Sequence, residues 1–227
     1  MRIYSPLFIL GCIASVTPVC AENVSRIDTD EPIVCLTFDD GPVREHALHL
    51  IQILGQHDAV ATFFVIGERV EAEADVLKQL QEAGHEIGNH TFTHPNLAKL
   101  DSRHQLHAEI LRCQEAVIAA TGSAPQVFRA PYLSQDERVE SLLASLGMPS
   151  IFASASTEDW NQDTTAESIL ERAIEGLEPG AILLMHEFRK ETIDVLPELL
   201  AEMRARGLRA VTVSEALRLQ RIPAAEQ

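Results

Sequence analysis

The sequence predicts an α/β protein in which parallel strands alternate with helices. Short, nearly continuous apolar runs recur along the chain, as expected for strands that are covered on both faces, and segments with helical spacing separate them. Repeated strand–helix alternation is typical of a parallel sheet with helices outside it, either closed into a barrel or open and doubly wound. The seven candidate strands are residues 33–38, 60–66, 85–88, 126–129, 149–153, 181–185 and 208–213.

Several local signals place the ends of the predicted helices. Residues 164–167 (Thr-Thr-Ala-Glu) fit a capping box, and Pro42 fits the first position of the helix after the first strand. Left-handed helix ends are predicted at Gly84, Gly147 and Gly207. One helical series consists of Leu48, Ile51 and Leu54, and a second of Leu106, Ile110, Cys113 and Val117.

Composition and net charge limit the classes of molecule that this protein is expected to bind. The 227 residues suit one domain with a sizeable core, and 46% of them are apolar, as in soluble globular proteins. With 18 basic and 34 acidic residues the formal net charge is −16, which argues against nucleic acid because phosphates would be repelled. Neutral partners such as sugars stay compatible with this charge, and the oligomeric state is not predicted.

The first 21 residues have the layout of a secretory signal peptide. Arg2 precedes an apolar run over residues 3–16, and small or aliphatic residues surround a cleavage site after Ala21. The run is too short and interrupted for a membrane span. We therefore expect an exported protein, periplasmic or secreted, with a single domain over residues 22–227 and no stable membrane span. A lipoprotein site at Cys12 ranks second, and a buried N-terminal helix is the other alternative.

Two cysteines remain in the predicted mature chain. Cys35 and Cys113 lie far apart and without CxxC spacing, so they do not make a disulfide framework. Cys35 lies within an apolar run and is predicted to be a buried thiol. A single bridge between the two stays open as an alternative in an oxidising compartment.

Reactive side chains follow the predicted strands. In parallel α/β folds, ligand sites lie beyond the carboxyl ends of the strands. Five of the predicted strand ends carry ionisable or aromatic residues, which is more than chance readily supplies. These residues are Asp39 and Asp40, His90 and His94, Arg129 and Tyr132, Asp159 and Trp160, and His186.

His90 and His94 are candidate metal ligands. Four residues apart on a helical turn, two imidazoles point to the same side and can hold one ion. Asp39 or Asp40 offers a carboxylate as third ligand, and a cation would also remove the repulsion between these neighbours. The alternative is that one aspartate caps a helix. Two other pairs, His46 with His49 and His104 with His107, lie within amphipathic helices and are predicted to be solvated.

Two histidines and one carboxylate leave positions open for water and substrate, as in catalytic metal sites. Zn²⁺ is the leading candidate, with Co²⁺, Fe²⁺ or Mn²⁺ as alternatives. Such an ion lowers the pKa of its bound water and polarises a carbonyl group. The remaining aspartate is a candidate to accept the proton of that water, and His186 to give one to the leaving group.

Five segments in this order resemble the motifs of the polysaccharide deacetylases, the NodB-homology proteins of carbohydrate esterase family four. The resemblance covers nearly all of residues 32–217, and it implies a distorted parallel (β/α) barrel of about seven strands, in agreement with the seven apolar runs. The segments are Thr37-Phe38-Asp39-Asp40-Gly41-Pro42, His90-Thr91-Phe92-Thr93-His94, Arg129-Ala130-Pro131-Tyr132, Asp159-Trp160 and Leu184-Met185-His186.

The resemblance also implies a role for each matched residue. Asp39 would be the general base and His186 the general acid, while the metal ligands would be Asp40, His90 and His94. Arg129 would orient Asp39, and Asp159 would either constrain Arg129 or tune His186. The backbone N–H of Tyr132 would stabilise the oxyanion, and the acetyl pocket would consist of Trp160, Leu184 and the Tyr132 ring.

Some of these residues also have a purely structural interpretation, and two positions depart from the family pattern. Arg129 and Asp159 would also fit a buried ion pair, and Trp160 would fit a core residue. Leu133 stands where the family often has glycine, and residues 156–158 lack the aspartate that is common upstream of the fourth motif.

The function predicted from these features is metal-dependent hydrolysis of N-acetyl groups from N-acetylglucosamine units of a glycan. Peptidoglycan, chitin oligosaccharides and poly-N-acetylglucosamine are the candidate substrates. One alternative is an esterase that removes O-acetyl groups from xylan-like chains, or a relative that hydrolyses small cyclic amides. Another is a glycan-binding protein without catalysis, although no ligand, base or acid is missing from the motifs.

Overall fold

A computed structural model of the protein describes residues 23–220. The predicted signal peptide, with Cys12, lies outside these residues and stays a prediction. Among the helices between residues 23 and 220, none combines the length and apolar character that crossing a bilayer requires.

The prediction of a parallel α/β fold is confirmed, since every strand pair within residues 23–220 is parallel. The longest strand, β2, is buried almost throughout because neighbours flank it on both sides. The strands are β1 (Asn23–Val24), β2 (Ile33–Gly41), β3 (Thr62–Val65), β4 (Glu86–Asn89), β5 (Ser150–Ile151), β6 (Ala155–Ser156), β7 (Ala181–His186) and β8 (Arg209–Ala210).

The strands close into a distorted barrel rather than an open sheet. Their order is β4-β3-β2-β7-β6, and β8 adds to the start of β2. Phe128 bridges β4 at Asn89 and β5 at Ser150, and β5 runs on into β6, so the ring is continuous. In place of the strand predicted at 126–129, only Phe128 forms β-bridges. The strands β1 and β6 were not predicted, because two residues are too few to show an apolar pattern.

Helices surround the barrel and bury one face each against it. The second predicted series is confirmed, since all four of its residues are buried in α4. In α1 the buried face runs through Leu50 and Leu54, and the predicted Leu48 is 39% exposed instead. The helices are α1 (Arg44–Gln56), α2 (Gly67–Ala72), α3 (Ala74–Glu82), α4 (Arg103–Thr121), α5 (Glu137–Leu146), α6 (Ala166–Glu175), α7 (Lys190–Ala205) and α8 (Val213–Leu219).

The predicted C-terminal helix ends are confirmed, whereas both predicted helix starts are wrong. The three glycines predicted at left-handed helix ends all have positive φ. The prediction for Pro42 is wrong, because α1 begins two residues later at Arg44. The capping box is wrong by one residue: Thr165 is the N-cap and accepts the N–H of Ser168, whereas Thr164 donates its hydroxyl to the Glu158 carbonyl.

Both described cysteines are buried free thiols, as predicted for Cys35, and the alternative of a bridge is wrong. Burial raises the pKa of each thiol to about 12, so that neither is reactive at neutral pH. Cys113 donates its thiol to the Val65 carbonyl and serves as a core residue.

Candidate active site

The predicted site residues meet at the carboxyl ends of the strands. Most of them line one cavity of about 430 Å³. Arg129 and Asp159 lie behind its wall, and both are fully buried. Of the ten residues singled out from the sequence, the eight that line the cavity are Asp39, Asp40, His90, His94, Tyr132, Trp160, Leu184 and His186.

Asp40, His90 and His94 converge as the metal prediction requires. Oδ1 of Asp40 lies 3.1 Å from Nε2 of His94 and 3.5 Å from Nε2 of His90. Ligands of a tetrahedral ion, each about 2 Å from it, are roughly 3.3 Å apart. The same Oδ1 atom is buried and has no hydrogen-bond donor within residues 23–220. An orphaned carboxylate oxygen between two imidazole nitrogens fits a divalent cation.

The charge of this cluster also suits a cation. Burial alone would raise the pKa of Asp40, but the imidazoles of His94 and His90 lower it to about 2. Burial lowers the pKa of His90, which favours the neutral imidazole that metal binding needs. His90 donates Nδ1–H to the carbonyl of Arg129 at 2.7 Å, and this bond leaves Nε2 for a metal.

The predicted helical turn at residues 90–94 is wrong. The segment is an irregular loop in which Thr91 and His94 have φ values of 69° and 60°. A carboxylate of α4 holds this loop: Glu109 accepts the backbone N–H groups of Phe92 and Thr93 at 3.0 and 2.8 Å. The two imidazoles therefore meet through loop geometry, and no sequence signal distinguished Glu109 from other polar residues of its helix.

Asp39 is held by Arg129 in a buried ion pair. Nη1 of Arg129 lies 2.7 Å from Oδ1 of Asp39, and it also donates to the hydroxyl of Thr37 at 2.7 Å. The other guanidinium nitrogens donate to backbone carbonyls of Ile151 and Phe152. Oδ2 of Asp39 faces the candidate metal ligands, 3.9 Å from Nε2 of His90. The alternative of an Arg129–Asp159 ion pair is wrong.

Asp159 binds His186 rather than Arg129; these are the two partners that the sequence left open for Asp159. Oδ1 lies 2.7 Å from Nδ1 of His186, while Oδ2 accepts from the His186 backbone and from the hydroxyl of Thr192. Burial alone would lower the pKa of His186, but the bond to Asp159 and the negative charges of Asp39 and Asp40 raise it. The imidazole is thereby favoured in its protonated form, with Nε2 left available.

The mouth of the cavity is apolar. Trp160 is 59% exposed and Tyr132 is 67% exposed, so the interpretation of Trp160 as a core residue is wrong. Leu184 is buried on β7 and contributes to the cavity wall. Three further residues, Leu133, Ser156 and Phe188, also line the cavity, and none of them was predicted to do so.

Neither Asp39 nor Asp40 caps a helix, so that alternative is also wrong. The N-cap of α1 is Val43, and its side chain makes no capping bond. The N–H of Val43 donates at 2.6 Å to the carboxylate of Glu187, a buried residue that the sequence analysis missed.

Residues 26–151, more than half of the chain, match the family model named polysaccharide deacetylase. The chain belongs to the polysaccharide deacetylase family. The resemblance seen in the five motifs is thereby confirmed. A family relative is the peptidoglycan-N-acetylglucosamine deacetylase PgdA of Listeria monocytogenes, with 35% identity over 80% of this chain. The chain spans only 38% of the length of that relative.

Solved structures of this family have the same fold. The Bc1960 peptidoglycan N-acetylglucosamine deacetylase superposes with a TM-score of 0.82 at 28% identity, covering 86% of this chain and 92% of the other. A CE4 family pseudoenzyme from Bacillus anthracis also reaches 0.82, at 27% identity, with coverages of 89% and 71%. A protein named as a deacetylase and one named as a pseudoenzyme are equally similar to this chain in fold, so catalysis has to be argued from individual residues.

Proposed function

We propose that this protein is a metal-dependent hydrolase that removes N-acetyl groups from N-acetylglucosamine units of a glycan. The observation that carries the proposal is the convergence of Asp40, His90 and His94 on a cavity that also contains Asp39 and His186. Peptidoglycan is the first substrate to test, because PgdA and the Bc1960 enzyme are named for it. Chitin oligosaccharides and poly-N-acetylglucosamine are the next.

Asp40, His90 and His94 would hold one divalent ion, Zn²⁺ first and Co²⁺, Fe²⁺ or Mn²⁺ as alternatives. When bound, the ion supplies Lewis acidity, which makes water nucleophilic and polarises the acetyl carbonyl. This chemistry is needed because an amide resists attack by neutral water.

Asp39 is the proposed general base. Its Oδ1 atom is engaged by Arg129, whereas Oδ2 faces the ligand cluster and is free to accept a proton from the attacking water. His186 is the proposed general acid, which protonates the departing amine from Nε2, since an unprotonated amine is a poor leaving group. Asp159 keeps the proton of Nδ1 in place and stabilises the imidazolium.

The cavity wall supplies the remaining contacts. The backbone N–H of Tyr132 would donate to the developing oxyanion, as in the family motif that it matches. Trp160, Leu184 and the ring of Tyr132 would enclose the acetyl methyl group, and their apolar surfaces suit it. The exposed rings at the mouth also suit the apolar faces of sugar rings.

Export of this domain belongs to the same proposal. Cleavage after Ala21 would release a single domain, residues 22–227, into the periplasm or the medium. Mass spectrometry of the mature protein tests this: an N-terminus at Glu22 supports it. A lipid-modified N-terminus at Cys12 would contradict it in favour of the lipoprotein.

The deciding experiment is acetate release from purified peptidoglycan, chitin oligosaccharides, poly-N-acetylglucosamine and acetylated xylan, with metal content measured on the same sample. Release from an N-acetylated glycan that chelation abolishes and added metal restores is the expected result. Release from acetylated xylan alone would make the protein an O-acetyl esterase. Tight glycan binding without release, whatever metal is added, would make it a binding protein, an outcome worth testing because a pseudoenzyme shares this fold.

A further inference from the structure

The segment that carries Asp40 is held by two ionisable residues that do not line the cavity. They are Arg69, which lies half-buried on α2, and Glu187, which directly follows β7 and is fully buried. Neither has a role in the mechanism above. Both contact the backbone around Asp40, and no cavity residue makes the same contacts.

The backbone of Asp40 needs external support. Its φ of 68° lies in the left-handed region, which is disfavoured for a residue with a Cβ atom. A non-glycine residue keeps such a conformation only where its surroundings impose it. The direction of the Asp40 carboxylate depends on this conformation, because the side chain leaves from the same Cα atom.

Arg69 supplies the first support, since its guanidinium donates to the carbonyl oxygen of Asp40. The helix that carries Arg69 also holds the histidine loop. The N–H groups of Gly67 and Glu68, at the start of α2, donate to the carbonyls of Thr91 and Phe92 at 2.9 and 3.0 Å. One short helix is therefore bonded both to the end of β2, which carries Asp40, and to the loop that carries the two histidines.

Glu187, the residue that follows β7, supplies the second support. Its Oε1 accepts the N–H of Val43 at 2.6 Å, and its own N–H donates to the carbonyl of Asp39 at 3.0 Å. The carboxylate also lies against Gly41, where an added Cβ atom would fall 1.9 Å from Oε2. The residues on both sides of Asp40 are thus held by one side chain and its backbone.

We propose that Arg69 and Glu187 are positioning residues that hold Asp40 in its left-handed conformation and thereby set the affinity of the three ligands for the ion. This inference rests on the proposed metal site. Partners of metal ligands typically contribute 10- to 100-fold to metal affinity, even though they never touch the ion.

The test measures the dissociation constant of zinc for the metal-stripped full chain by competition with a chromophoric chelator. Arg69→Met should weaken zinc binding about 10- to 100-fold, and Arg69→Lys should restore part of it by retaining a donor. The matched control is Arg206→Met, which also removes a guanidinium that donates to a backbone carbonyl, that of Ile174, but leaves the residues around Asp40 unchanged.

Glu187 is tested by two substitutions of similar shape. Burial raises the pKa of Glu187 to about 8, so a neutral amide is a close replacement. Glu187→Gln keeps an acceptor for Val43 and should retain most of the affinity that Glu187→Leu loses. With zinc at saturation, Arg69→Met should lower kcat on the preferred glycan and leave KM unchanged, since the sugar contacts are intact.

The outcomes separate this inference from the proposed function. If the wild-type chain binds no zinc or other divalent metal, the proposed function fails. If the wild-type chain binds zinc and Arg69→Met binds it as tightly as Arg206→Met does, the inference is overturned while the proposed function stands. Should Glu187→Leu fail to fold, Arg69→Met decides alone: Arg69 is only half-buried and methionine is also unbranched, so a folded variant is expected.

Discussion

The two sides of the cavity are held in place in different ways. On the proposed metal side, Asp40 near the end of β2 and His94 on a loop both have left-handed backbone, and their side chains are 15% and 22% exposed. On the proton-transfer side, Asp39 and His186 are each fixed at 2.7 Å by a fully buried charged partner, Arg129 and Asp159. The proposed base and acid are thus held by protein groups alone, whereas the proposed metal side would be completed by a cation. Substitutions on the metal side should therefore lose the ion, whereas substitutions on the proton-transfer side should retain it and lose turnover or stability.

The largest expected effect is on the metal side. His94→Ala should lose the metal and reduce acetate release to background, because two ligands do not retain the ion. The unfolding free energy of the metal-free protein should change by about 1 kcal/mol or less, since this side chain is partly exposed. Metal analysis and urea unfolding check both points. The control is His107→Ala on α4, an exposed position that should leave metal content unchanged; stoichiometric metal in His94→Ala would remove His94 from the ligands.

Asp39→Asn should show the opposite pattern, with the metal retained and turnover lost. An amide does not accept the proton of the attacking water, so kcat should fall by about 10²–10⁴-fold. Metal content and acetate release measured on one sample check this. A fully active Asp39→Asn variant would mean that another group is the base.

Arg129→Met should lower the unfolding free energy much more than the loss of an exposed ion pair does. Removing one partner of a buried ion pair leaves Asp39 as an uncompensated buried charge, which typically costs about 3–5 kcal/mol. Urea unfolding of the metal-free protein measures this. Arg209→Met, which breaks an ion pair whose side chains are 56% and 37% exposed, should cost about 1 kcal/mol or less. Equal losses in the two variants would contradict a structural role for the Asp39–Arg129 pair.

The smallest effect is a shift in the pH profile. Asp159 and the nearby carboxylates raise the pKa of His186 despite its burial, so the imidazolium persists to higher pH and activity should fall as pH rises through this raised pKa. The accompanying stabilisation is fully present below the ordinary pKa of histidine and is lost as pH rises through the raised one. Asp159→Asn should move the alkaline limb of kcat/KM to lower pH, while Asp163→Asn on the same loop should not. An unmoved limb would mean that His186 is not the acid.

Local structure was predictable where one segment decides it. The apolar runs predicted β2, β3, β4 and β7 because buried strands leave a continuous pattern, and the residues after them were found because parallel strands end on one side. The errors lie where a distant group decides. The conformation of the loop at residues 90–94 is set by hydrogen bonds with α4 and α2 and is not helical. At the start of α1, the N–H of Val43 donates to Glu187, which follows β7 and is distant in sequence.

The sequence by itself determined the alternation of strands and helices, the family, and the residue types collected at the strand ends, because periodicity and motif order are properties of neighbouring residues. Only the tertiary structure decided between the charge pairings that the sequence left open, an Arg129–Asp159 ion pair among them. Arg129 meets Asp39 across 90 residues of sequence, and Asp159 meets His186 across 27. Such pairings depend on which strands are adjacent in the barrel and in what register, and no local pattern encodes the strand order that closes it.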